Sequence, residues 1–462
     1  MSAAGARALR DARTPDELER VREALARARA SPFYSRKLGG RPLRDWDDFF
    51  SLPTTTKQEL RAASPMDTLA VPLSEAWHYH ESFGTTGRPI GTWFTAADFD
   101  REVELTARWT QPIAPGMRVL NRIPYAFAVP PFVIEARTRR DGGIVVPASN
   151  LTWNVPYDRA LELIRRLAVE VLVTFSLEPV ILELAAPLCG LDMKRDLASV
   201  KHLLLGGSLV TEPLRRHLEA HWGAKVGLVY GLTETGGIGA MCDAWRVHVS
   251  PDAHVLEIVD PATGAPVAEG EVGLLLVTSH YRQASPLVRY ESQDYARWIP
   301  GPCPCGAPGP TLEILGRVDD TIAFDGQRIF HAQLQSAVLE LARPFDSAVY
   351  FVIVTERGVR VRLESHNGRR DLDRLAVEKL HDALRVPVTV DVCAPGEILD
   401  VKSMVRAPTV GKPQVMSDWR RDDRRCFTQS EALLTWPRVG FRDLVGMVWQ
   451  FFKNAVLRRL VR

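Results

Sequence analysis

The stretch HLLLGGSLVTEPLRRHLEAHWGAKVGLVYG (202–231) sets out a strand, a helix and a second strand in immediate succession. HLLLGG (202–207) and KVGLVYG (225–231) are short apolar runs that end in glycine, which is typical of buried strands. TEPLRRHLEAHW (211–222) lies between them and begins with a capping threonine, as many helices do. Strands separated by helices of this length predict a parallel sheet covered by helices on both faces.

The same alternation continues outside this stretch. VEVLVTF (169–175) predicts a further buried strand, and TPDELER (14–20) has the threonine, proline and glutamate of a helix start. After residue 317 the pattern is tighter, with a helix at 331–342, two strands, a helix at 369–385 and a final strand, which predicts a small α+β module. We predict an α/β fold with three parts. These are a large N-terminal domain with mixed or parallel sheets covered by helices (1–315), a small α+β domain (316–421) and a basic amphipathic tail (422–462).

Composition excludes several classes of protein. A length of 462 residues favours two or more domains, and 46% hydrophobic residues is an ordinary globular value. The net charge of +2 argues against a nucleic-acid binder that relies on a basic surface. The N-terminus lacks the apolar run of a signal peptide, and no apolar stretch approaches the roughly 20 residues of a membrane span. Six cysteines do not make a disulfide framework in a chain of this size, so we expect a cytoplasmic protein.

The segment SFGTTGRP (82–89) has the composition of an anion-binding loop. Its glycines allow backbone N–H groups to turn toward one centre, its threonines add donors, and its arginine supplies a counter-charge. Such a loop is more often a simple turn, and this one lacks the GxxxxGK[ST] signature of the common phosphate loop. Its interpretation therefore depends on the rest of the chain.

Polar turns follow two of the predicted strands. Gly206-Gly207-Ser208 comes after one strand and Gly231-Leu232-Thr233-Glu234 after another. Because ligands of parallel α/β sheets bind at the carboxyl ends of the strands, these two turns are expected to converge on one crevice.

Six motifs in one order resemble those of a known superfamily. They are SFGTTGRP, GGS (206–208), YGLTE (230–234), ESQD (291–294), GRVDD (316–320) and a late GK (411–412). Together they resemble the adenylate-forming ligases, and within these the phenylacetate-CoA ligase-like branch. The resemblance extends over about residues 25 to 420 and includes LPTTTKQEL (52–60) and GKPQVMSDWR (411–420).

The resemblance implies an ATP site built from residues of these motifs. The resemblance implies that Thr85, Thr86 and Arg88 bind the phosphates and that Thr233 contacts the α-phosphate, while Glu234 binds Mg²⁺. It implies that Gly206, Gly207, Ser208 and Tyr230 contact the adenine, that Asp294 binds the ribose and that Arg317 also contacts the nucleotide. It further implies that the small domain is mobile, with a hinge at Asp319. Oxygen ligands such as a glutamate carboxylate suit Mg²⁺, and two carboxylate oxygens suit the two ribose hydroxyls.

The resemblance also implies a catalytic lysine near the C-terminus. Lys412 fits best because GKPQVMSDWR resembles the ending of the family, and Lys402 is the rival. The positive charge would stabilise attack of a carboxylate on the α-phosphate of ATP and the departure of pyrophosphate. A thiol, in the family that of coenzyme A, would then displace AMP. Neither step requires a protein nucleophile.

The region expected to bind the acid departs from the family pattern. The chain reads RIPYAFAVPPFVIEARTRR (122–140), where relatives have a glycine-rich aromatic stretch. Tyr125, Phe127 and Phe132 either line an aromatic pocket or belong to the core. An aromatic acid is implied by the resemblance rather than by these residues.

A second group of residues is typical of structural zinc. Cys242 and His248 lie in MCDAWRVH, and Cys303 and Cys305 form a CPC turn. Three cysteines and a histidine complete a tetrahedral zinc set, and comparable positions occur in relatives of this branch. The alternative is that the cysteines are reduced and pack as small hydrophobic residues.

The final segment, FRDLVGMVWQFFKNAVLRRLVR (441–462), has helical apolar spacing and a basic polar side. Such a helix can lie on an anionic membrane surface, dock on a partner or pack back onto its own protein.

The resemblance thus implies an ATP- and Mg²⁺-dependent ligase that joins a carboxylic acid, expected to be aromatic, to coenzyme A. Transfer of the acyl group to a carrier-protein pantetheine or to another acceptor is one alternative, since the thiol arm is chemically the same. A nucleotide-binding protein without turnover is the other alternative.

Overall fold

The computed structural model describes residues 14–82, 88–150, 152, 154–406, 414–421 and 425–434. The described residues begin with four helices, and the predicted helix start is confirmed, because the Thr14 hydroxyl accepts a hydrogen bond from Glu17 N at 3.2 Å. A hairpin of two strands follows them. These elements are α1 (Pro15–Ala30), α2 (Pro32–Leu38), α3 (Trp46–Phe50), α4 (Lys57–Ala62), β1 (His78–Glu81) and β2 (Gly91–Phe94).

The central part of the chain alternates helices with parallel strands, as predicted. Its strands pair in the order β4-β3-β5-β6-β7, each parallel to its neighbour. The central elements are α5 (Ala96–Trp109), β3 (Arg118–Asn121), α6 (Pro130–Arg140), β4 (Ile144–Pro147), α7 (Tyr157–Leu167), β5 (Val171–Phe175), α8 (Glu178–Leu188), α9 (Met193–Asp196), β6 (His202–Gly206), α10 (Glu212–Trp222) and β7 (Lys225–Leu232).

The sheet changes from parallel to antiparallel at β7. Its antiparallel part continues in the order β7-β8-β9-β13-β12-β11-β10, so that the described residues form a mixed sheet of 11 strands flanked by helices. These strands are β8 (Gly236–Met241), β9 (Val247–Val249), β10 (His254–Val259), β11 (Gly273–Ser279), β12 (Leu287–Ile299) and β13 (Thr311–Arg317).

A small α+β module follows β13, in agreement with the sequence pattern. A two-stranded hairpin leads into a separate sheet with the order β18-β17-β16-β19. The limits 1–315 and 316–421 stay a prediction. The elements are β14 (Ile322–Phe324), β15 (Gln327–Ile329), α11 (His331–Ala342), β16 (Tyr350–Thr355), β17 (Gly358–Glu364), α12 (Arg374–Leu384), β18 (Val388–Cys393), α13 (Val401–Met404), β19 (Met416–Asp418) and α14 (Gln429–Leu434).

The small module packs against the large sheet through α10 and α11. One hydrophobic cluster contains both Leu214 of α10 and Leu334 of α11. Thr211, at the cap position of α10, donates its hydroxyl to Gln335 Oε1 at 2.9 Å rather than capping its own helix. This contact joins the two parts of the chain. Within the described ranges, no helix is both long and apolar enough to cross a membrane.

Candidate active site

Asp294 lies at the centre of a buried group of polar side chains. It is 5% exposed and follows Gln293, whose backbone is left-handed at φ 66°. Tyr230 on β7 donates its hydroxyl to Asp294 Oδ2 at 2.7 Å, and Arg317 Nε lies 3.9 Å from Asp294 Oδ1. Burial raises the pKa of Asp294, and the charge of Arg317 opposes this shift. The carboxylate is therefore fixed between a neutral donor and a cation.

Glu234 lies in the tight turn between β7 and β8. It is 4% exposed, and its Oε1 makes no hydrogen bond of good geometry to the residues that the structure describes, although the Tyr290 hydroxyl lies near this carboxylate. Thr235 stabilises the turn, since its hydroxyl donates to Gly236 O at 3.0 Å. Thr233 is half-buried in the same turn. A buried carboxylate oxygen without a partner costs free energy, and a divalent cation bound there would satisfy it.

Glu102 on α5 supports this turn from behind. Its Oε2 accepts a hydrogen bond from Gly237 N at 2.9 Å, and its Oε1 accepts one from the Tyr281 hydroxyl. Gly236 has φ 77°, and a Cβ there would lie 1.6 Å from Glu102 Oε1. Only glycine is therefore compatible with the approach of Glu102, which fixes the backbone that follows Glu234.

Lys57 is a residue of this site that the sequence analysis did not assign. Burial lowers the pKa of this lysine at the start of α4, while the carboxylates of Glu234 and Asp294 raise it and Arg317 lowers it further. The Lys57 ammonium group is thus near enough to Glu234, Asp294 and Arg317 for the charge of each to shift its pKa. A positive charge in the first turn of a helix interacts unfavourably with the helix dipole. The position of Lys57 in LPTTTKQEL (52–60) was therefore a sequence signal that this lysine has a role other than stabilising its helix.

Two further contacts position the start of α4 and the wall behind Glu234. Thr55 O accepts a hydrogen bond from Glu291 N at 2.9 Å, which ties the segment before α4 to β12. Tyr290 on β12 is fully buried, and burial together with the carboxylates of Glu234 and Asp294 raises its pKa. The site is therefore built from α4, β7, β12 and β13.

The predicted adenine-binding turn lies beside this group. Because β6 and β7 are parallel neighbours, residues 206–208 at the carboxyl end of β6 lie at the same edge of the sheet as Tyr230 on β7. Gly207 has φ 78°, and Ser176 donates its hydroxyl to Ser208 O at 2.8 Å. Gly206, Gly207 and Ser208 are thus brought near Tyr230.

The SFGTTGRP loop joins β1 to β2. Ser82 N donates to Ile90 O at 3.0 Å, and Ile90 N donates to the Ser82 hydroxyl at 2.9 Å, which closes the base of the loop. Ile90 belongs to a hydrophobic cluster with Tyr290, so the base of the loop lies next to the Glu234 region. Arg88 is exposed. The other two predicted phosphate ligands, Thr85 and Thr86, lie outside the described residues.

The two candidate catalytic lysines differ in what the structure says of them. Lys412 lies outside the described residues. Lys402 is exposed on α13, whose Val401 is buried in the hydrophobic cluster that also contains Val180 of α8. The predicted hinge residue Asp319 is exposed in the turn between β13 and β14, where Thr321 donates its hydroxyl to Arg317 O at 2.9 Å.

Two of the three predicted pocket residues contribute to an aromatic cluster. The ring of Phe132 makes edge contacts with Tyr125 at 5.2 Å and with His78 at 5.3 Å between centroids. His78 also stacks on Phe99 at 4.9 Å. Phe127 is separate, because its side chain is 59% exposed and its backbone has φ 59°. The structure therefore brings Tyr125 and Phe132 together without Phe127.

The four predicted zinc ligands converge, although they come from distant parts of the sequence. The Sγ atoms of Cys242 and Cys303 are 3.5 Å apart, and Cys305 Sγ lies 3.2 Å from His248 Nε2. All four ligand atoms lie within 4.8 Å of one another. The donor set and its spacing fit a tetrahedral zinc ion, for which thiolate and imidazole are the usual ligands.

The structure thus gathers four of the predicted nucleotide residues into one group, in which the acidic residues are buried and Arg317 is 36% exposed, and adds Lys57 to it. The gathered residues are Tyr230, Glu234, Asp294 and Arg317.

Comparisons with known proteins identify the family of the chain. Residues 82–282 match the model of the AMP-binding enzyme family. A phenylacetate-coenzyme A ligase of Thermus thermophilus is 31% identical over 343 residues, which are 71% of this chain and 74% of that protein. The phenylacetate-coenzyme A ligase of Escherichia coli is 28% identical over 372 residues, covering 76% of this chain and 80% of that protein.

Solved structures show the same fold. A 2-hydroxyisobutyryl-CoA ligase in its postadenylation state, in complex with 2-HIB-AMP, has a TM-score of 0.74 at 22% identity, covering 87% of this chain and 89% of that one. The same ligase in its thioesterification state has a TM-score of 0.61, at the same identity and coverage. By its motifs, its fold and its identity to these relatives, the chain belongs to the phenylacetate-CoA ligase-like branch of the adenylate-forming, AMP-binding enzymes.

Proposed function

We propose that this protein is an AMP-forming ligase that activates a carboxylic acid with ATP and transfers the acyl group to coenzyme A. The carboxylate attacks the α-phosphorus of ATP, which gives an acyl-adenylate and pyrophosphate. The thiol sulfur of coenzyme A then attacks the acyl carbon, so that the thioester forms and AMP leaves. The observation that carries this proposal is the buried group of Asp294, Tyr230 and Arg317 beside Glu234.

The nucleoside end of ATP fits the Asp294 side of the site. Asp294 has two acceptor oxygens, which suit the 2′ and 3′ hydroxyls of the ribose. Tyr230 and Arg317 hold this carboxylate in place, and the Tyr230 ring lies next to the turn at residues 206–208 where adenine would bind.

The phosphate end fits the Glu234 side of the site. Glu234 would hold Mg²⁺, which when bound neutralises phosphate charge. Lys57 and Arg88 would add positive charge, and Thr233 together with Thr85 and Thr86 would donate hydrogen bonds. Lys412 remains the proposed catalytic lysine, with Lys402 as its alternative.

The aromatic cluster of Tyr125, Phe132, His78 and Phe99 supports an aromatic acid as the substrate. Its rings make edge-to-face and stacked contacts with one another, and the aryl group of a substrate would make contacts of the same kind with them. The curated names of the relatives, which are phenylacetate-coenzyme A ligases, point to the same class.

We also propose that Cys242, His248, Cys303 and Cys305 bind a structural zinc ion. The CPC turn and β9 would be joined by the ion, and all four protein ligands leave no open position for chemistry.

The test of the proposed function is release of AMP in the presence of ATP, Mg²⁺, coenzyme A and a panel of aryl, arylacetic and aliphatic acids. The proposal predicts AMP release and thioester formation with aryl or arylacetic acids. Thioester formation only when a pantetheine-bearing carrier protein replaces coenzyme A would establish the alternative acceptor. No AMP release with any acid, from protein that binds ATP, would contradict the proposal and favour a homologue without turnover.

A further inference from the structure

The neighbouring helices α8 and α10 bring three metal-ligating side chains together. His217 and His221 lie four residues apart on α10, and their rings stack at 4.1 Å with 20° between their planes. Glu183 on the neighbouring α8 faces both rings. Its Oε2 lies 3.2 Å from His217 Nε2, and its Oε1 lies 2.9 Å from His221 Nδ1. The exposed fractions of the side chains are 10% for Glu183, 12% for His217 and 26% for His221.

The spacing of these atoms fits a single metal ion. One ligand atom from each residue can be chosen so that all lie within 4.8 Å of one another. Metal–nitrogen and metal–oxygen bonds of about 2.0–2.2 Å place neighbouring ligand atoms about 3–3.5 Å apart. The contacts of 2.9 and 3.2 Å, which involve the two different oxygens of Glu183, are therefore close to the ligand–ligand distances expected if this carboxylate binds the ion through both oxygens. Two imidazoles and one carboxylate are a usual donor set for zinc and related divalent ions.

A second carboxylate completes the pattern on His221. While Nδ1 of this ring faces Glu183, Nε2 lies 3.2 Å from Asp346 Oδ1. Metal-binding histidines commonly donate the hydrogen of their other ring nitrogen to a carboxylate, which orients the ring and raises its basicity. Asp346 lies directly after the short helix Arg343–Phe345 of the small module, so this support comes from the other part of the chain.

We propose that Glu183, His217 and His221 form a site for a divalent transition-metal ion such as zinc, with Asp346 as the supporting carboxylate. The site shares no residue with the proposed zinc site of Cys242, His248, Cys303 and Cys305, which is called the cysteine cluster below. Because Asp346 reaches His221 only when the small module packs against α10 as observed, binding of the ion and this packing stabilise each other. The ion would thus favour the observed arrangement of the two parts.

Counting zinc by equilibrium dialysis of the full chain tests the site. The proposal predicts that a variant carrying both His217→Gln and His221→Gln binds one zinc per chain fewer than the wild type. The control is His381→Gln on the exposed face of α12, which should leave the count unchanged. An equal count in the wild type and the double variant would overturn the proposal.

A second measurement decides the matter if the double variant does not fold. Cobalt added to the wild-type chain in place of zinc gives thiolate charge-transfer absorption only from the cysteine cluster, whereas the proposed site has no sulfur. We expect one further equivalent of cobalt to add visible d–d absorption without increasing the thiolate band. Glu183→Gln, which keeps the size of the side chain, should abolish this second phase. Absence of a second phase in the wild type would overturn the proposal.

The linkage to domain packing has its own test. Asp346→Asn removes the supporting charge and is expected to weaken zinc binding at this site about tenfold. Glu340→Gln breaks a different ion pair between the two parts, that of Glu340 with Arg216, and should leave the affinity unchanged. Equal zinc affinity of Asp346→Asn and the wild type would overturn the supporting role of Asp346.

Discussion

Asp294 shows what a sequence can and cannot say about a single residue. The motif ESQD marks it through resemblance alone, since an acidic residue in a loop is usually solvated. Its burial and its hydrogen bond from Tyr230, which is distant in sequence, depend on how β7, β12 and β13 pair in the sheet. The role of Lys57 was not predicted, because a lysine at the start of a short helix resembles a surface residue. The carboxylates near it come from distant parts of the sequence and are known only from the fold.

Asp294→Asn tests the proposed ribose contact at this scale. The amide keeps the size of the side chain and can still accept the Tyr230 hydrogen bond, but it loses one acceptor and the charge. Hydrogen bonds to charged groups contribute about 1.5–3 kcal/mol, so the KM for ATP should rise about 10- to 100-fold. Tyr230→Phe removes only the orienting hydroxyl and should raise it about 2- to 10-fold. Steady-state kinetics with varied ATP measures both, and an unchanged KM in Asp294→Asn would refute the assignment.

Lys57→Met tests whether the newly found lysine acts on the phosphates. Removing a cation beside Glu234 should lower kcat for acid-dependent AMP release about tenfold or more, because charge developing on the phosphates loses stabilisation. Lys194→Met, on the exposed side of α9, is the matched control and should leave kcat unchanged. Equal kcat values for the two variants would show that Lys57 has only a structural role.

At the scale of elements, the parallel half of the sheet was predictable and the antiparallel half was not. The strands β5, β6 and β7 and the helix α10 lie where their apolar patterns predict, although the Thr211 hydroxyl does not cap α10. The strands β10 and β11 are buried along their whole length, so they lack the alternation that identifies a half-exposed antiparallel strand. The turn that carries Glu234 lies where the sheet changes direction, and its glycine at 236 is required by Glu102.

The zinc prediction belongs to this scale, because the ion would join β9 to the CPC turn. Cys303→Ser should lose one zinc per chain and lower the melting temperature by about 5 °C or more, since binding energy of a structural zinc contributes to folding. Cys189→Ser is the control, because Cys189 directly follows α8 and lies outside the cluster. Metal analysis and thermal unfolding measure the effects. A Cys303→Ser variant with the zinc content of the wild type would contradict a zinc site in this cluster.

At the scale of the whole molecule, the small α+β module was predicted from its pattern of helices and strands, whereas its packing was not. The contacts of Thr211 with Gln335 and of His221 with Asp346 join residues more than a hundred positions apart, and no local pattern indicates them. The predicted membrane or partner contact of the tail at 422–462 concerns residues that lie mostly outside the described ranges.

Three buried histidines make the stability of the molecule depend on pH. Burial lowers the pKa of His254 to about 3 and those of His80 and His280 to about 4, compared with about 6.5 in an unfolded chain. Below pH 6.5 the unfolded chain binds these protons and the folded protein does not. Their stabilising contribution is therefore complete above pH 6.5 and is lost as the pH falls, by about 1.4 kcal/mol per pH unit for each histidine.

Denaturant unfolding between pH 5 and 7 measures this dependence. His254→Gln should reduce the slope of the unfolding free energy against pH by about 1.4 kcal/mol per unit. His381→Gln removes an exposed histidine and should leave the slope as it is. Identical slopes for His254→Gln and the wild type would contradict a neutral buried His254.

We propose that the group of side chains around Asp294 and Glu234 makes an acyl-adenylate from ATP and a carboxylic acid. Exchange of labelled pyrophosphate into ATP, measured without coenzyme A, reports this step alone because it requires reversible formation of the adenylate. We expect exchange that depends on an aryl or arylacetic acid and on Mg²⁺. We also expect the Glu234→Gln variant to have a strongly reduced exchange rate. Exchange that is absent with every acid, in protein shown to bind ATP, would contradict the account.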